Sequence, residues 1–220
     1  MTRRPLTLRR LVGLDRSGPP PPQTLAGAPL RPWTLPNAIG FVRLALIPVF
    51  LQVGLSRVQA PCEGQDAPRP DAGRRGRPGA APAVLFAVIG AGDYADGIAA
   101  RVTGQYSRLG AMMDPLTDRL LVICGALVCW RHRLLPRWAL ALLTVRELVT
   151  LALALRGQRR GLELSINWPG RIAVGIVIGA LFFAMLGLRR LAQSMLCAGL
   201  ALALIATVLY ARAGLRARGA

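Results

Sequence analysis

The sequence predicts an all-α fold: a polytopic membrane protein with six transmembrane helices. Hydrophobic residues make up 53% of the 220 positions, and the mean hydropathy is +0.43, which is high for a soluble domain of this size. Apolar runs recur along the chain, and several approach the roughly 20 residues that cross a bilayer. Arginines gather mostly between these runs, as they do in loops that meet lipid headgroups.

The apolar runs define the elements in order. The first lies between a proline-rich tail and a polar insert, and the second and third flank a short polar loop. The fourth follows the segment RHR, the fifth follows a polar stretch after residue 155, and the sixth follows Arg189 and Arg190. The predicted spans are 38–56, 81–101, 110–130, 135–155, 170–188 and 191–211.

Three segments lie outside these spans. Residues 1–32 are rich in arginine and proline and predict a cytoplasmic tail that is disordered or lies at the membrane interface. A membrane domain is expected over 33–213, with a polar loop insert at 58–80, and 214–220 form a basic C-terminal tail. The pattern of the N-terminal segment does not predict a cleaved signal peptide, because no apolar run of sufficient length precedes the prolines.

The arginine distribution predicts the orientation. Six spans place both termini on one side of the membrane, and that side then carries 15 arginines against 10 on the other, with three inside spans. The positive-inside rule therefore favours cytoplasmic termini. The same arrangement puts the loop between the second and third spans at the cytoplasmic face of a cell membrane.

The sequence argues against two other kinds of site. A net charge of +18 comes from 28 arginines and no lysine, but no nucleic-acid-binding motif accompanies it, so no nucleic-acid partner is predicted. Cys124 and Cys129 lie five residues apart without a second pair, which favours buried apolar packing over a zinc site. His132 is predicted to face solvent or headgroups.

Four aspartates lie within the second and third spans. A carboxylate at the centre of a span costs roughly 2.5–3.5 kcal/mol, so their spacing needs an explanation. Asp93 and Asp96 are three residues apart, and Asp114 and Asp118 are four apart, so each pair shares one helix face. A short loop makes the two helices antiparallel neighbours. Oxygen-only ligands suit Mg²⁺ or Mn²⁺, and four carboxylates suit two such ions, an arrangement used in phosphoryl transfer.

The alternative for any one aspartate is a helix cap or contact with water. The wider pattern, however, reads D-x-x-D-G-x-x-A-R, eight residues, then G-x-x-x-D-x-x-x-D. It resembles the full motif of the CDP-alcohol phosphatidyltransferase family. Its fixed positions are Asp93, Asp96, Gly97, Ala100, Arg101, Gly110, Asp114 and Asp118.

The resemblance implies a six-helix membrane enzyme, often a homodimer, that moves a phosphatidyl group from CDP-diacylglycerol to an alcohol and releases CMP. It implies that the four aspartates hold two Mg²⁺ or Mn²⁺ ions and that Asp118 is also the catalytic base. The CDP-binding residues it implies are Asp96, Gly97, Ala100, Arg101 and Gly110. Outside such a motif, Gly97 and Ala100 would indicate tight helix packing.

Two further segments bear on the identity of the acceptor alcohol. The segment WTLPNAIGFVRLALIPVF and the segment VRELV resemble phosphatidylglycerophosphate synthases and CDP-alcohol-type cardiolipin synthases, although Arg171 stands where those enzymes commonly carry lysine. Glycerol 3-phosphate is the leading acceptor, with Arg43, Arg146 and Arg171 as its candidate ligands. Phosphatidylglycerol is the alternative acceptor. A distant alternative for the function is a non-catalytic membrane protein that binds cations. Glu147 is expected to pair with an arginine.

Overall fold

A computed structural model of the chain describes residues 32–56, 80–159 and 168–216, with the backbone alone for 153–159, 168–171 and 208–216. The residues it describes form six helices and no strand. The helices are α1 Leu35–Leu55, α2 Ala80–Thr103, α3 Arg108–Arg131, α4 Arg137–Arg159, α5 Trp168–Met185 and α6 Arg189–Arg216.

Each helix coincides with one predicted span to within a few residues, and the all-α membrane fold is confirmed. Three segments are long and apolar enough to cross a bilayer: Leu35–Leu55, Ala80–Thr103 and Arg189–Thr207. The described part of α5 adds a shorter apolar helix, Ile172–Met185. Charged side chains lower the hydropathy of α3 and α4, so six membrane crossings stay a prediction. The predicted tails and insert lie outside the described residues at 1–31, 58–79 and 217–220.

Side-chain caps fix where two of the helices begin. The Thr34 hydroxyl accepts a hydrogen bond from Asn37 N at 3.4 Å, and the Ser107 hydroxyl accepts one from Gly110 N at 3.0 Å. Both place an oxygen on an amide of the first turn that has no partner within its helix. α5 ends in a turn at Gly187, whose φ of 87° is readily adopted by glycine.

The chain divides into two compact units. The first comprises Met1–Pro48 and Ala87–Leu121, and therefore holds the start of α1, the second part of α2 and the first part of α3. Its buried apolar residues include Ile47, Ile89 and Leu121. Leu35 N donates to Gln105 Oε1 at 3.1 Å, which ties the start of α1 to the α2–α3 loop.

The second unit comprises Val49–Phe86 and Val122–Ala220, and its helices meet at small residues. A Cβ at Gly54 would lie 2.6 Å from Val128 Cγ2, and one at Gly125 would lie 2.6 Å from Phe86 Cε2. Such close approach is the usual basis of helix packing in membranes, where lipid weakens the hydrophobic drive. Phe86 also stacks obliquely on Phe50 with ring centroids 5.5 Å apart.

His132 and the cysteines have structural positions. His132 is half-buried, and its Nε2 hydrogen-bonds the Gly54 carbonyl at 2.8 Å, near the C-terminal end of α1. It is therefore not simply a solvated residue, because it satisfies a carbonyl that a helix end leaves without a partner. Cys129 is fully buried and Cys124 partly buried, and both are free thiols. Cys62 lies outside the described residues.

Candidate active site

Buried polar side chains concentrate in the first unit. The first unit holds most of the buried polar residues among those the structure describes. They are Asn37, Arg43, Asp96, Ser107 and Thr117. A buried polar group is costly unless it is hydrogen-bonded, and inside a membrane it usually marks a functional site. The unit that carries the predicted motif is thus also the polar one.

Arg43 of α1 lies at the centre of the aspartates. Its residue exposure is 2%. Nη1 donates to Asp96 Oδ2 at 2.8 Å and lies 3.5 Å from Asp93 Oδ1, while Nη2 donates to Asp118 Oδ1 at 2.9 Å. Nε donates to the Ile89 carbonyl at 2.9 Å. One guanidinium therefore joins carboxylates from α2 and α3.

Asp114 is near this group without touching Arg43. It lies one turn before Asp118 on the same face of α3, within electrostatic range of Asp93, Asp96 and Asp118. The structure thus brings together the four aspartates that the sequence predicted would converge. Arg43 offsets one of their four formal negative charges, which leaves a formal excess of negative charge among these five residues.

Gly92 provides the seat for Arg43. A Cβ at this position would lie 2.7 Å from Arg43 Cδ and 2.9 Å from Cγ, so the arginine side chain crosses α2 where α2 has no side chain. This role was not predicted, because Gly92 precedes the motif and its partner is 49 positions away. An arginine within the first span was the one available signal that a small residue must face it.

The four carboxylates have the ligand chemistry that a divalent metal ion requires. The donors are oxygens, which hard cations such as Mg²⁺ and Mn²⁺ prefer, and three of them already converge on a single cation, the guanidinium of Arg43. Within the described residues, no group of three or more His, Cys, Asp or Glu side chains is arranged to hold an ion as it stands. In the structure, Arg43 is the partner of these oxygens.

Arg101 and Gly97 lie against each other on α2. A Cβ at Gly97 would lie 3.1 Å from Arg101 Nη2, so the guanidinium covers the glycine. Arg101 Nε is buried and has no hydrogen-bond partner among the described residues. The predicted pair is therefore together, and it presents a donor that lacks an acceptor. Ala100, which the motif also includes, is partly exposed on the same helix.

Gly110 has a packing role at the α1–α3 junction. The Ser107 hydroxyl donates to Asn37 Oδ1 at 2.8 Å, and Asn37 Nδ2 donates to the Pro32 carbonyl at 3.2 Å. A Cβ at Gly110 would lie 2.7 Å from Asn37 Oδ1. The absent side chain of Gly110 therefore permits a buried hydrogen bond between two helix starts, in addition to any part in nucleotide binding.

Thr117 is a further buried polar residue, and the motif does not include it. Its residue exposure is 1%, and its hydroxyl has no hydrogen-bond partner among the described residues. A threonine in a helix usually bonds a carbonyl one turn back. No sequence signal distinguishes this threonine from one that does so.

The other candidate acceptor ligands lie in the second unit. Arg146 Nη1 donates to Glu147 Oε1, and both side chains are at least nine-tenths buried, which confirms the expected arginine partner of Glu147. Arg146 Nε has no hydrogen-bond partner within the described part of the chain. The backbone of Arg171 lies in α5, but its side chain is outside the described residues.

Comparison with known proteins gives a family match over most of the chain. Residues 33–209 match the model of the family described as CDP-alcohol phosphatidyltransferase. A Mycobacterium tuberculosis protein named "Putative cardiolipin synthase" is 34% identical over 148 residues, which cover 66% of this chain and 62% of that protein.

Two further relatives carry different names. The "CDP-diacylglycerol--glycerol-3-phosphate 3-phosphatidyltransferase" of Bacillus subtilis is 31% identical over 142 residues, 64% of this chain and 70% of that protein. The "Cardiolipin synthase (CMP-forming)" of Streptomyces coelicolor is 34% identical over 142 residues, 64% of this chain and 59% of that protein. The chain thus spans about six-tenths of the length of the mycobacterial and Streptomyces relatives.

Proposed function

The chain belongs to the CDP-alcohol phosphatidyltransferase family, and from that premise we propose that it transfers a phosphatidyl group from CDP-diacylglycerol to an alcohol. The acceptor oxygen forms a bond to the phosphorus next to the diacylglycerol, and the bond from that phosphorus to the bridging oxygen breaks. CMP leaves with the bridging oxygen. The proposed place of this reaction is phospholipid biosynthesis.

One observation carries the proposal: carboxylates from α2 and α3 converge on a single cation at 2.8–3.5 Å. A diphosphate brings more negative charge to a site that already has an excess. The reaction therefore needs side chains that bind cations. Three carboxylates already bind one cation here, the guanidinium of Arg43.

Members of this family generally depend on divalent metal ions. We assign Asp93, Asp96, Asp114 and Asp118 as the residues that would hold two Mg²⁺ or Mn²⁺ ions. Bound there, the ions would supply positive charge against the diphosphate and against the charge that develops at phosphorus.

The remaining steps belong to the chain's own residues. Asp118 accepts the proton of the acceptor hydroxyl, a role supported by its 40% exposed side chain, which a substrate can reach. Arg101 binds a phosphate oxygen, a role supported by its buried Nε, which has no hydrogen-bond partner among the described residues. Asp96, Gly97, Ala100 and Gly110 complete the proposed CDP site.

We propose glycerol 3-phosphate as the acceptor, giving phosphatidylglycerophosphate. Its phosphate needs positive side chains near the surface of the membrane, and Arg43, Arg146 and Arg171 are the candidates. The name of the Bacillus subtilis relative supports this acceptor. The name of the Streptomyces relative supports phosphatidylglycerol instead, which would make the chain a cardiolipin synthase.

The proposed location is the cell membrane, with the active site facing the cytoplasm. The excess of arginines on the side of the termini supports this orientation. A homodimer is proposed from the family resemblance.

The test is a transfer assay on the purified chain. Protein in detergent or nanodiscs is incubated with CDP-diacylglycerol, Mn²⁺ or Mg²⁺, and either glycerol 3-phosphate or phosphatidylglycerol, and the lipid product is identified by mass spectrometry. We expect CMP release and phosphatidylglycerophosphate with the first acceptor. Product from phosphatidylglycerol alone would replace the acceptor, and no CMP with either would contradict the transfer itself.

A further inference from the structure

The guanidinium of Arg43 uses the same carboxylate atoms that a metal ion would use. Nη1 binds Asp96 Oδ2 at 2.8 Å and Nη2 binds Asp118 Oδ1 at 2.9 Å. A divalent ion of the Mg²⁺ class binds carboxylate oxygen at about 2.0–2.1 Å. A second cation at that distance from the same oxygens would meet Arg43 at close range, with like charges and little water between them.

The chain has built a place for this arginine. Arg43 is buried along its length, its Nε is held by the Ile89 carbonyl at 2.9 Å, and its stem crosses α2 at Gly92. A buried arginine with this set of partners is costly to leave unpaired, and the carboxylates are costly to leave without a cation. The pairing therefore stabilises the cluster when no metal is bound.

We infer that Arg43 is an internal counter-cation, which holds the carboxylates of α2 and α3 together in the metal-free protein and which a divalent ion must displace from Asp96 and Asp118. The inference rests on the proposed function, since it takes these carboxylates to be the metal ligands. Arg43 is in this sense a positioning residue, and it sets the metal affinity by competition.

Competition and plain structural support predict opposite signs. If Arg43 only supports the fold, its loss loosens the carboxylates and weakens metal binding. If Arg43 competes with the ion, its loss lowers the stability of the metal-free protein and increases the affinity for the metal. The two effects are separately measurable without any turnover.

The experiment measures Mn²⁺ binding and thermal stability on purified full-length protein in detergent. Free Mn²⁺ is followed by electron paramagnetic resonance, and the melting temperature is recorded in chelator and in saturating Mn²⁺. We expect Arg43→Gln to lower the Mn²⁺ dissociation constant by about tenfold or more, equivalent to 1.4 kcal/mol. In chelator, the same variant has a lower melting temperature than wild type. Saturating Mn²⁺ reduces this difference in melting temperature. Arg43→Lys keeps a charge and changes both values less.

Gly92→Ala supplies a second route to the same displacement. The new methyl group would lie 2.7 Å from Arg43 Cδ and forces the arginine stem away, whereas Gly90→Ala meets Leu121 Cδ2 at an ordinary 3.8 Å. Both exchanges replace a helical glycine, so Gly90→Ala is the matched control. We expect tighter Mn²⁺ binding in Gly92→Ala and wild-type binding in Gly90→Ala. If Arg43→Gln does not accumulate as folded protein, Gly92→Ala decides the question.

The outcomes separate the inference from the proposed function. Wild-type protein that binds Mn²⁺ while Arg43→Gln and Gly92→Ala bind it equally or more weakly overturns the inference and leaves the metal site standing. Wild-type protein that binds no Mn²⁺ overturns the proposed metal site and the inference with it.

Discussion

Asp118 is the residue with the most demanding proposed role, because it is both a metal ligand and the proton acceptor. Its side chain is 40% exposed, and its carboxylate accepts a hydrogen bond from Arg43 Nη2 at 2.9 Å. Asp114, one turn away, is proposed as a ligand alone. The two positions therefore differ in a way that kinetics can resolve.

Replacement of Asp118 by asparagine keeps the shape and removes the base. We expect kcat for CMP release to fall by roughly 10²–10⁴-fold, the usual worth of general base catalysis, with a much smaller change in KM for CDP-diacylglycerol. The assay is steady-state CMP release with glycerol 3-phosphate.

Asp114→Asn is the matched control for that experiment. Because it removes only a ligand, high Mn²⁺ should restore much of its rate, while Asp118→Asn should stay slow at every Mn²⁺ concentration. Equal rescue of both variants would remove Asp118 from the role of base.

Gly110 tests the packing at the α1–α3 junction. Alanine is intrinsically favoured over glycine in a helix by roughly 0.5–1 kcal/mol, yet here its methyl group would lie 2.7 Å from Asn37 Oδ1. Loss of the buried Ser107–Asn37 hydrogen bond costs about 1–3 kcal/mol, so we expect Gly110→Ala to lower the free energy of unfolding.

Gly175→Ala provides the comparison, since a Cβ at Gly175 would meet nothing within 4 Å. It should be neutral or slightly stabilising in the same thermal unfolding assay. If Gly110→Ala is as stable as Gly175→Ala, the α1–α3 junction accommodates the methyl group without a loss of stability, which would contradict the expectation.

At the scale of the helices, the sequence predicted where each helix lies along the chain far better than which side chains of different helices contact one another. Apolar runs predicted all six described helices to within a few residues, because hydropathy is a local property. The spacing of the aspartates predicted their shared faces for the same reason. The contacts of Arg43 with the carboxylates were not predicted, because they join α1 to α2 and α3 across distances that no periodicity reports. Arg43 was instead assigned to the acceptor.

The buried pair on α4 tests the acceptor assignment. Arg146→Ala removes the guanidinium that contacts the buried Glu147 carboxylate, and we expect the variant to be less stable, because breaking a buried ion pair is destabilising. The same variant should raise KM for glycerol 3-phosphate by about tenfold or more, equivalent to 1.4 kcal/mol. Replacing both residues by methionine removes the pair together, so stability should recover while KM stays high. Recovery of KM along with stability would mean that Arg146 supports the fold and does not bind the acceptor.

At the scale of the whole molecule, the orientation across the membrane decides which compartment supplies the acceptor. The arginine excess favours cytoplasmic termini, and a 21-residue helix such as α1 is about 31 Å long, enough to cross the hydrocarbon core. Residues 58–80 are then expected on the far side.

Native and introduced cysteines can test this orientation. In one variant Cys62 is the sole remaining cysteine, and in the other Ala220→Cys is the sole one. We expect an impermeant thiol reagent applied to intact cells to label the first variant, and to label the second only after permeabilisation. Labelling of the C-terminal cysteine in intact cells would contradict the proposed orientation.

The central claim is that the carboxylates of α2 and α3 catalyse phosphatidyl transfer by means of divalent ions. The most direct measurement is CMP release from CDP-diacylglycerol by purified protein, first in excess chelator and then after Mn²⁺ or Mg²⁺ is restored. We expect no turnover in chelator and recovery with either ion. Undiminished CMP release in excess chelator would contradict it.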